Sequence, residues 1–135
     1  MSAQQSTEFN PDGEKTDRAA LVVLATLQFL MLLALYSRTE PHPPVAIFLF
    51  ALGPFLSASI AICAAACWMG AGNSRSGNIL SLAAALLGLI SFGPQKWFDP
   101  SFAQIWPAVI TAQIACAVLL GNLLRRVSIS GRATL

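Results

Sequence analysis

The chain has 135 residues, of which 56% are hydrophobic and only 10% are charged. Soluble domains carry about 25% charged residues, so this composition is typical of a protein whose surface faces lipid. The formal net charge is only +2 and the arginines form no basic stripe, so we expect no nucleic-acid partner. The three cysteines all lie in apolar runs, which excludes a disulfide framework of the secreted kind.

The chain begins with a polar segment, residues 1–18, which has too little apolar surface to offset its ordering entropy. We therefore expect a flexible N-terminal tail. The first apolar run, at about residues 19–36, is rich in leucine and valine and predicts a first membrane-spanning helix. Prolines at positions 41, 43 and 44 end it, because proline denies helical geometry to the residue before it.

The second apolar run, at about residues 45–68, contains no charged residue and no amide side chain. At ~1.5 Å per residue it forms a helix about 36 Å long, enough to cross a hydrocarbon core of ~30 Å. Pro54 lies inside this run and Pro107 lies inside the fourth, and we expect both prolines to bend their helices.

The third apolar run, at about residues 77–92, is the shortest and follows a turn rich in glycine and asparagine. The fourth run covers about residues 101–124. Asp99 and Pro100 precede it as a predicted N-cap and first helical residue. Residues 125–135 are expected to form a basic C-terminal tail.

These runs predict an all-α membrane protein with four transmembrane helices in an up-down bundle and both termini in the cytoplasm. With four spans, two tails and one turn share a side, and most basic residues fall there, as the positive-inside rule requires of the cytoplasmic face. Alanine-rich spans favour the inner membrane of a bacterium. The basic residues of that side are Lys15, Arg18, Arg75, Arg125, Arg126 and Arg132, and Arg38 and Lys96 lie opposite.

Small residues recur at helical spacing in the last three runs, a pattern that lets helix backbones approach closely in lipid. We therefore expect these positions to mediate helix packing. They are Gly53, Ser57, Ala61 and Ala65 in the second run, Ser81, Ala84 and Gly88 in the third, and Ala108, Thr111, Ala112 and Ala115 in the fourth.

Gln28 and Gln113 lie near the middle of the first and fourth runs, and so near the bilayer midplane. An amide that faces lipid leaves its polar atoms unpaired at a cost of a few kcal/mol. We therefore predict that the first and fourth helices pack side by side with these two amides in contact. The alternative is a polar site for a small ligand.

No aspartate, glutamate, lysine, arginine or histidine lies inside any of the four runs, although such residues mark proton relays and substrate sites in membrane proteins. The single histidine, His42, falls in a loop. Cys63 and Cys67 are four residues apart but lack a third donor for a metal ion. We therefore expect no enzymatic activity, no cofactor and no metal.

The sequence favours a small accessory or structural subunit that packs onto a larger membrane complex through its small-residue helix faces. Its partners are then the lipid bilayer and other membrane subunits, or further copies of itself. The alternative is a small oligomeric transporter or channel, with a path lined by polar side chains and bent helices.

Overall fold

A computed structural model describes residues 11–38 and 49–133. Within these ranges the chain forms α1 (Pro11–Ser37), α2 (Leu49–Trp68), α3 (Arg75–Phe92) and α4 (Phe102–Ala133), with no strand. A short 3-10 helix, Pro94–Phe98, joins α3 to α4. All four α-helices are long and apolar enough to cross a membrane, so the protein has the helices of an integral membrane protein.

The four helices form a bundle. α1 packs against α2 and α4, and α3 packs against the same two helices, whereas the diagonal pair of α1 and α3 makes less contact. All four helices contribute to one buried cluster, which consists mainly of small apolar side chains. Its members are Ala20, Leu21, Leu24, Cys63, Ala66, Ala71, Ala84, Ala85, Phe92, Val109, Ala112, Ala115, Cys116 and Leu119.

The outer surfaces of α1, α3 and α4 carry large apolar side chains. In water such a surface would drive aggregation, but in a bilayer it is in contact with lipid chains of similar polarity. These exposed side chains include Phe29, Leu30 and Leu33 on α1, Ile79, Leu86 and Ile90 on α3, and Trp106, Ile114 and Leu124 on α4.

Two helices extend beyond the apolar runs. α1 begins at Pro11, so residues 11–18 are helical where the sequence predicts a flexible tail. α4 continues through residues 125–133, which the sequence assigns to a basic tail. The polar ends of these two helices pair with each other, and this contact offsets the entropic cost of ordering them. Residues 1–10, 39–48 and 134–135 lie outside the described ranges, and the predicted proline loop and the start of the second run fall within residues 39–48.

The turn between α2 and α3 is tight and depends on glycine. Gly70 and Gly72 both have φ = 82°, a left-handed conformation that glycine adopts without strain. Ser74 caps α3, because its hydroxyl accepts a hydrogen bond of 2.9 Å from the Gly77 N–H. The first turn of α3 then lies so close to the preceding turn that a Cβ atom on Gly77 would be 2.3 Å from the Gly70 carbonyl oxygen.

The predicted cap before α4 forms one turn upstream of the helix, which begins at Phe102 rather than at residue 101. The Asp99 carboxylate accepts a hydrogen bond of 2.9 Å from the Ser101 N–H. This bond, with the Lys96 ammonium 3.7 Å away, holds the pKa of Asp99 below its ordinary value.

The close approach at Gly77 generates a stability prediction. Gly77→Ala places a methyl group against backbone that cannot move aside, so the free energy of unfolding should fall by about 1–3 kcal/mol. Gly121→Ala is the matched control, since no atom lies within 4 Å of its added Cβ and alanine favours the helix. Unfolding in mixed detergent micelles, followed by circular dichroism, measures both. Equal stability of the two variants would contradict the described turn.

Candidate functional site

The most polar part of the described bundle lies at one end, where Asp17 of α1 is buried. Its side chain is only 1% exposed. Asn122 Nδ2 donates to Asp17 Oδ1 at 2.7 Å, and Arg126 Nη1 donates to Asp17 Oδ2 at 2.7 Å. Asn122 and Arg126 are four residues apart and so share a face of α4. Each carboxylate oxygen therefore has a strong donor, which compensates for its removal from water.

The turn between α2 and α3 covers this ion pair. The Gly72 N–H donates to Asn78 Oδ1 at 3.1 Å, and Arg126 Nη1 lies 3.5 Å from the same oxygen. A Cβ atom on Gly72 would be 2.9 Å from Arg126 Nη2 and 3.0 Å from Asp17 Oδ2, so glycine lets the turn come this close. We call Asp17, Gly72, Asn78, Asn122 and Arg126 the polar clasp.

The polar clasp joins parts of the chain that are far apart in sequence. It connects the start of α1, the turn before α3 and the end of α4. Its carboxylate, guanidinium and two amides are joined by hydrogen bonds, so it ties these three segments together. The sequence prediction missed it, because Asp17 and Arg126 were both assigned to tails.

Gln28 and Gln113, which the sequence predicts near the bilayer midplane, do not meet. Gln28 is fully buried, and neither Oε1 nor Nε2 of its side chain has a hydrogen-bond partner among the described residues. Gln113 instead donates to the Phe92 carbonyl at 3.0 Å and accepts from Trp97 Nε1 at 3.3 Å. α1 does pack beside α4, but Gln113 is directed toward the end of α3, so the predicted contact between the amides is wrong.

Two hydroxyl groups are, like the Gln28 amide, buried without a described hydrogen-bond partner. Ser59 of α2 and Ser91 of α3 are buried, and the Oγ atom of each has no hydrogen-bond partner within residues 11–38 and 49–133. Buried polar atoms are nearly always hydrogen-bonded, so each of these is costly unless something other than the protein binds it. Three helices thus each direct one unpartnered polar side chain into the bundle interior.

The small residues expected at helix contacts divide into an inner and an outer set. All three α3 positions and two of the four α4 positions are buried, whereas two of the four α2 positions are exposed. The buried set is Gly53, Ser81, Ala84, Gly88, Ala112 and Ala115, the half-buried residues are Ala65 and Ala108, and the exposed ones are Ser57, Ala61 and Thr111.

The exposed side of α2 is made of small residues along most of its length. We call Ala51, Pro54, Ser57, Ala58, Ala61 and Ala64 the outer α2 face; all six are exposed. Between residues 51 and 67 of α2 no large apolar side chain is exposed, in contrast to α1, α3 and α4. Only small side chains therefore project from the outer α2 face.

Both helix-interior prolines also lie on exposed surfaces, and α2 and α4 continue through them. A hydroxyl follows each one. Ser57 donates to the Gly53 carbonyl at 2.9 Å, and Thr111 donates to the Pro107 carbonyl at 2.6 Å. Polar groups near each proline are thus bonded within their own helix.

No group of three or more histidine, cysteine, aspartate or glutamate side chains that could hold a metal ion occurs in residues 11–38 and 49–133. Cys63, Cys67 and Cys116 are free thiols, and two of them are buried. Comparisons of the chain with known protein families, with curated proteins and with solved structures find no match.

The polar clasp generates a double-mutant cycle. Asp17→Asn should lower the free energy of unfolding by about 2 kcal/mol, less than the ~3–5 kcal/mol of a fully buried pair, because Arg126 retains 28% exposure. Asp17→Asn and Arg126→Gln should be coupled by at least about 1 kcal/mol. Glu14→Gln is the control, since Glu14 pairs with the half-exposed Arg18 and should change stability by no more than about 0.5 kcal/mol. Additive effects of the two clasp variants would contradict the ion pair.

Gln28 and Gln113 should respond in opposite ways to leucine. Gln28→Leu removes a buried amide without partners and should raise the free energy of unfolding by about 1–2 kcal/mol. Gln113→Leu leaves the Phe92 carbonyl and the Trp97 N–H unpaired and should lower it by about 1 kcal/mol. The double variant should be additive in detergent unfolding. Destabilisation by Gln28→Leu would instead show that the amide has a partner in the membrane.

Proposed function

We propose that the protein is a small accessory or structural subunit of a bacterial inner-membrane complex. The observation that carries this proposal is the outer α2 face. Three helices of the bundle expose large apolar side chains along their length, as a surface in contact with fluid lipid does, whereas residues 51–67 of α2 expose only alanine, serine and proline.

The physics of helix association in lipid supports this use of the outer α2 face. Lipid chains are as apolar as leucine, so helices in a membrane associate through close packing rather than through the hydrophobic effect. Small side chains allow two backbones to approach and gain dispersion contacts along their length. Inside the bundle, α3 already uses Ser81, Ala84 and Gly88 in this way. The outer α2 face is likewise made of small residues, and none of the other described helices packs against it.

We also propose an up-down bundle with both termini in the cytoplasm. The polar clasp supports this arrangement, because it holds the start of α1, the turn before α3 and the end of α4 at the same end of the bundle. The basic residues Arg75, Arg125 and Arg132 lie in or beside these segments, whereas Arg38 and Lys96 lie at the opposite ends of their helices. That distribution favours a cytoplasmic location for the clasp end.

A small oligomeric transporter is the second candidate. Its support is the set of unpartnered polar atoms of Gln28, Ser59 and Ser91 inside the bundle. Water or a polar solute could satisfy them. Leu21 and Leu24, both fully buried, nevertheless fill the interior between Gln28 and the polar clasp, so the accessory role accounts for more of the structure. Neither role requires a catalytic residue or a cofactor.

Association through the outer α2 face can be tested by adding bulk to it. The tagged protein is purified from native membranes in mild detergent, and stoichiometric membrane partners, including second copies, are identified by mass spectrometry. Ala61→Leu should reduce the recovered partner about tenfold or more, because it separates the packed backbones. Ala117→Leu is the matched control, since Ala117 is an exposed alanine of α4. Equal recovery with both variants, or no partner for the unaltered protein, would contradict the proposal.

A further inference from the structure

A groove opens between α1 and α2 on the outside of the bundle. Its volume is about 600 Å³, and apolar side chains form its walls. Leu21, Val22 and Ala25 of α1 line one side, and Ile60, Cys63 and Ala64 line the other. The volume lies within the range of sites that bind small molecules.

The two ends of the groove differ in character. Arg18 and Trp68 lie at the end near the polar clasp, and Thr26 lies at the other end. The distance from Arg18 to Thr26 along α1 is about 12 Å at ~1.5 Å per residue. One leaflet contributes about 15 Å of a ~30 Å hydrocarbon core, so the groove extends from the membrane interface nearly to the midplane.

Arg18 offers positive charge at the interface end. Arg18 Nη2 pairs with Glu14 Oε1 at 2.9 Å, and the Arg18 side chain is 51% exposed. A guanidinium carries five N–H donors, so an additional anion can be bound beside Glu14. Trp68 is 90% exposed and has an indole N–H of the kind that lies at lipid headgroup level.

The surrounding charge strengthens this attraction. Asp17, the acidic neighbour of Arg18, is already paired with Arg126. Basic side chains outnumber acidic ones at this end of the described bundle. The basic ones are Lys15, Arg18, Arg75, Arg125, Arg126 and Arg132, and the acidic ones are Asp12, Glu14 and Asp17.

We propose that this groove is a binding site for one anionic phospholipid. Its phosphate lies at Arg18, beside the Trp68 indole, and one acyl chain lies along the apolar walls as far as Thr26. Basic pockets between membrane helices on the cytoplasmic side are suited to anionic headgroups. The groove, about 12 Å long, is close to the depth of one leaflet, whereas the outer α2 face extends over about 20 Å of helix and is better suited to a partner helix.

The site is independent of the proposed accessory role, although Ala64 belongs to both surfaces. A lipid held there would form part of the surface that a partner contacts. It would also cover the space where α1 and α2 separate, next to the buried thiol of Cys63.

Trp68 provides a local probe for the lipid. Trp97→Phe and Trp106→Phe leave it as the only tryptophan, since the chain has three. This variant is placed in phosphatidylcholine vesicles that contain a small fraction of a lipid brominated on its acyl chains. The brominated lipid is phosphatidylglycerol in one sample and phosphatidylcholine, at the same fraction, in the other. Bromine quenches tryptophan fluorescence on contact. We expect the anionic lipid to bind beside Trp68 about fivefold more strongly, the preference that one interfacial arginine supplies.

Arg18→Gln should abolish that preference, and the matched control Arg75→Gln should preserve it, because Arg75 lies at the same end but outside the groove. Ala64→Phe fills the groove and should reduce quenching by both lipids, which keeps the test decisive if Arg18→Gln fails to fold. Equal quenching by the two lipids would overturn the proposal. An equal loss of the anionic preference in Arg75→Gln would also overturn it, because the preference would then come from diffuse surface charge. Cross-linking of Cys67 to Cys67 between two copies, without quenching by lipid, would place a second protein in the groove and would overturn it as well.

Discussion

The burial of the Asp17 carboxylate is the constraint on which the rest of the bundle depends. A carboxylate removed from water must be paired, and its two donors, Asn122 and Arg126, both come from the last helix. That pairing requires α1 and α4 to remain helical beyond their apolar stretches, with the start of α1 beside the end of α4. It also requires a turn that can cover the pair without a side chain, which Gly72 provides. One polar contact thus closes a bundle whose other contacts are almost entirely apolar.

The four apolar helices could be predicted because length and hydropathy suffice to identify a membrane span. Which face of each helix is buried depends on finer spacing. Positions four residues apart rotate by ~40° per step on a helix with 3.6 residues per turn, so an uninterrupted ladder drifts around the helix. On α2 the ladder therefore begins buried at Gly53 and is exposed by Ser57 and Ala61. On α3 the mixed spacing of Ser81, Ala84 and Gly88 keeps one face inward.

The polar contacts could not be predicted in the same way. Hydropathy predicts how deep a residue lies in the membrane but not the direction of its side chain, so it could not show that Gln113 bonds to the end of α3 rather than to Gln28. Asp17 and Arg126 are separated by most of the chain, and a charge near the end of a span is ordinarily assigned to water. The spacing of Asp17, Leu21, Leu24 and Gln28 on one face of α1 was the available signal, since it continues the buried stripe to the aspartate.

The central claim is that the ends joined by the polar clasp lie on one side of the membrane. The side on which each end lies can be measured in a protein whose native cysteines are replaced by alanine. A single cysteine is then introduced at Asn73, Lys96 or Ser128. Each variant is labelled with a membrane-impermeant maleimide in sealed right-side-out and inverted vesicles. Positions 73 and 128 should react from the same side and position 96 from the other. Labelling of positions 73 and 96 from the same side would contradict it, because the clasp and the Lys96 end could not then lie at opposite faces.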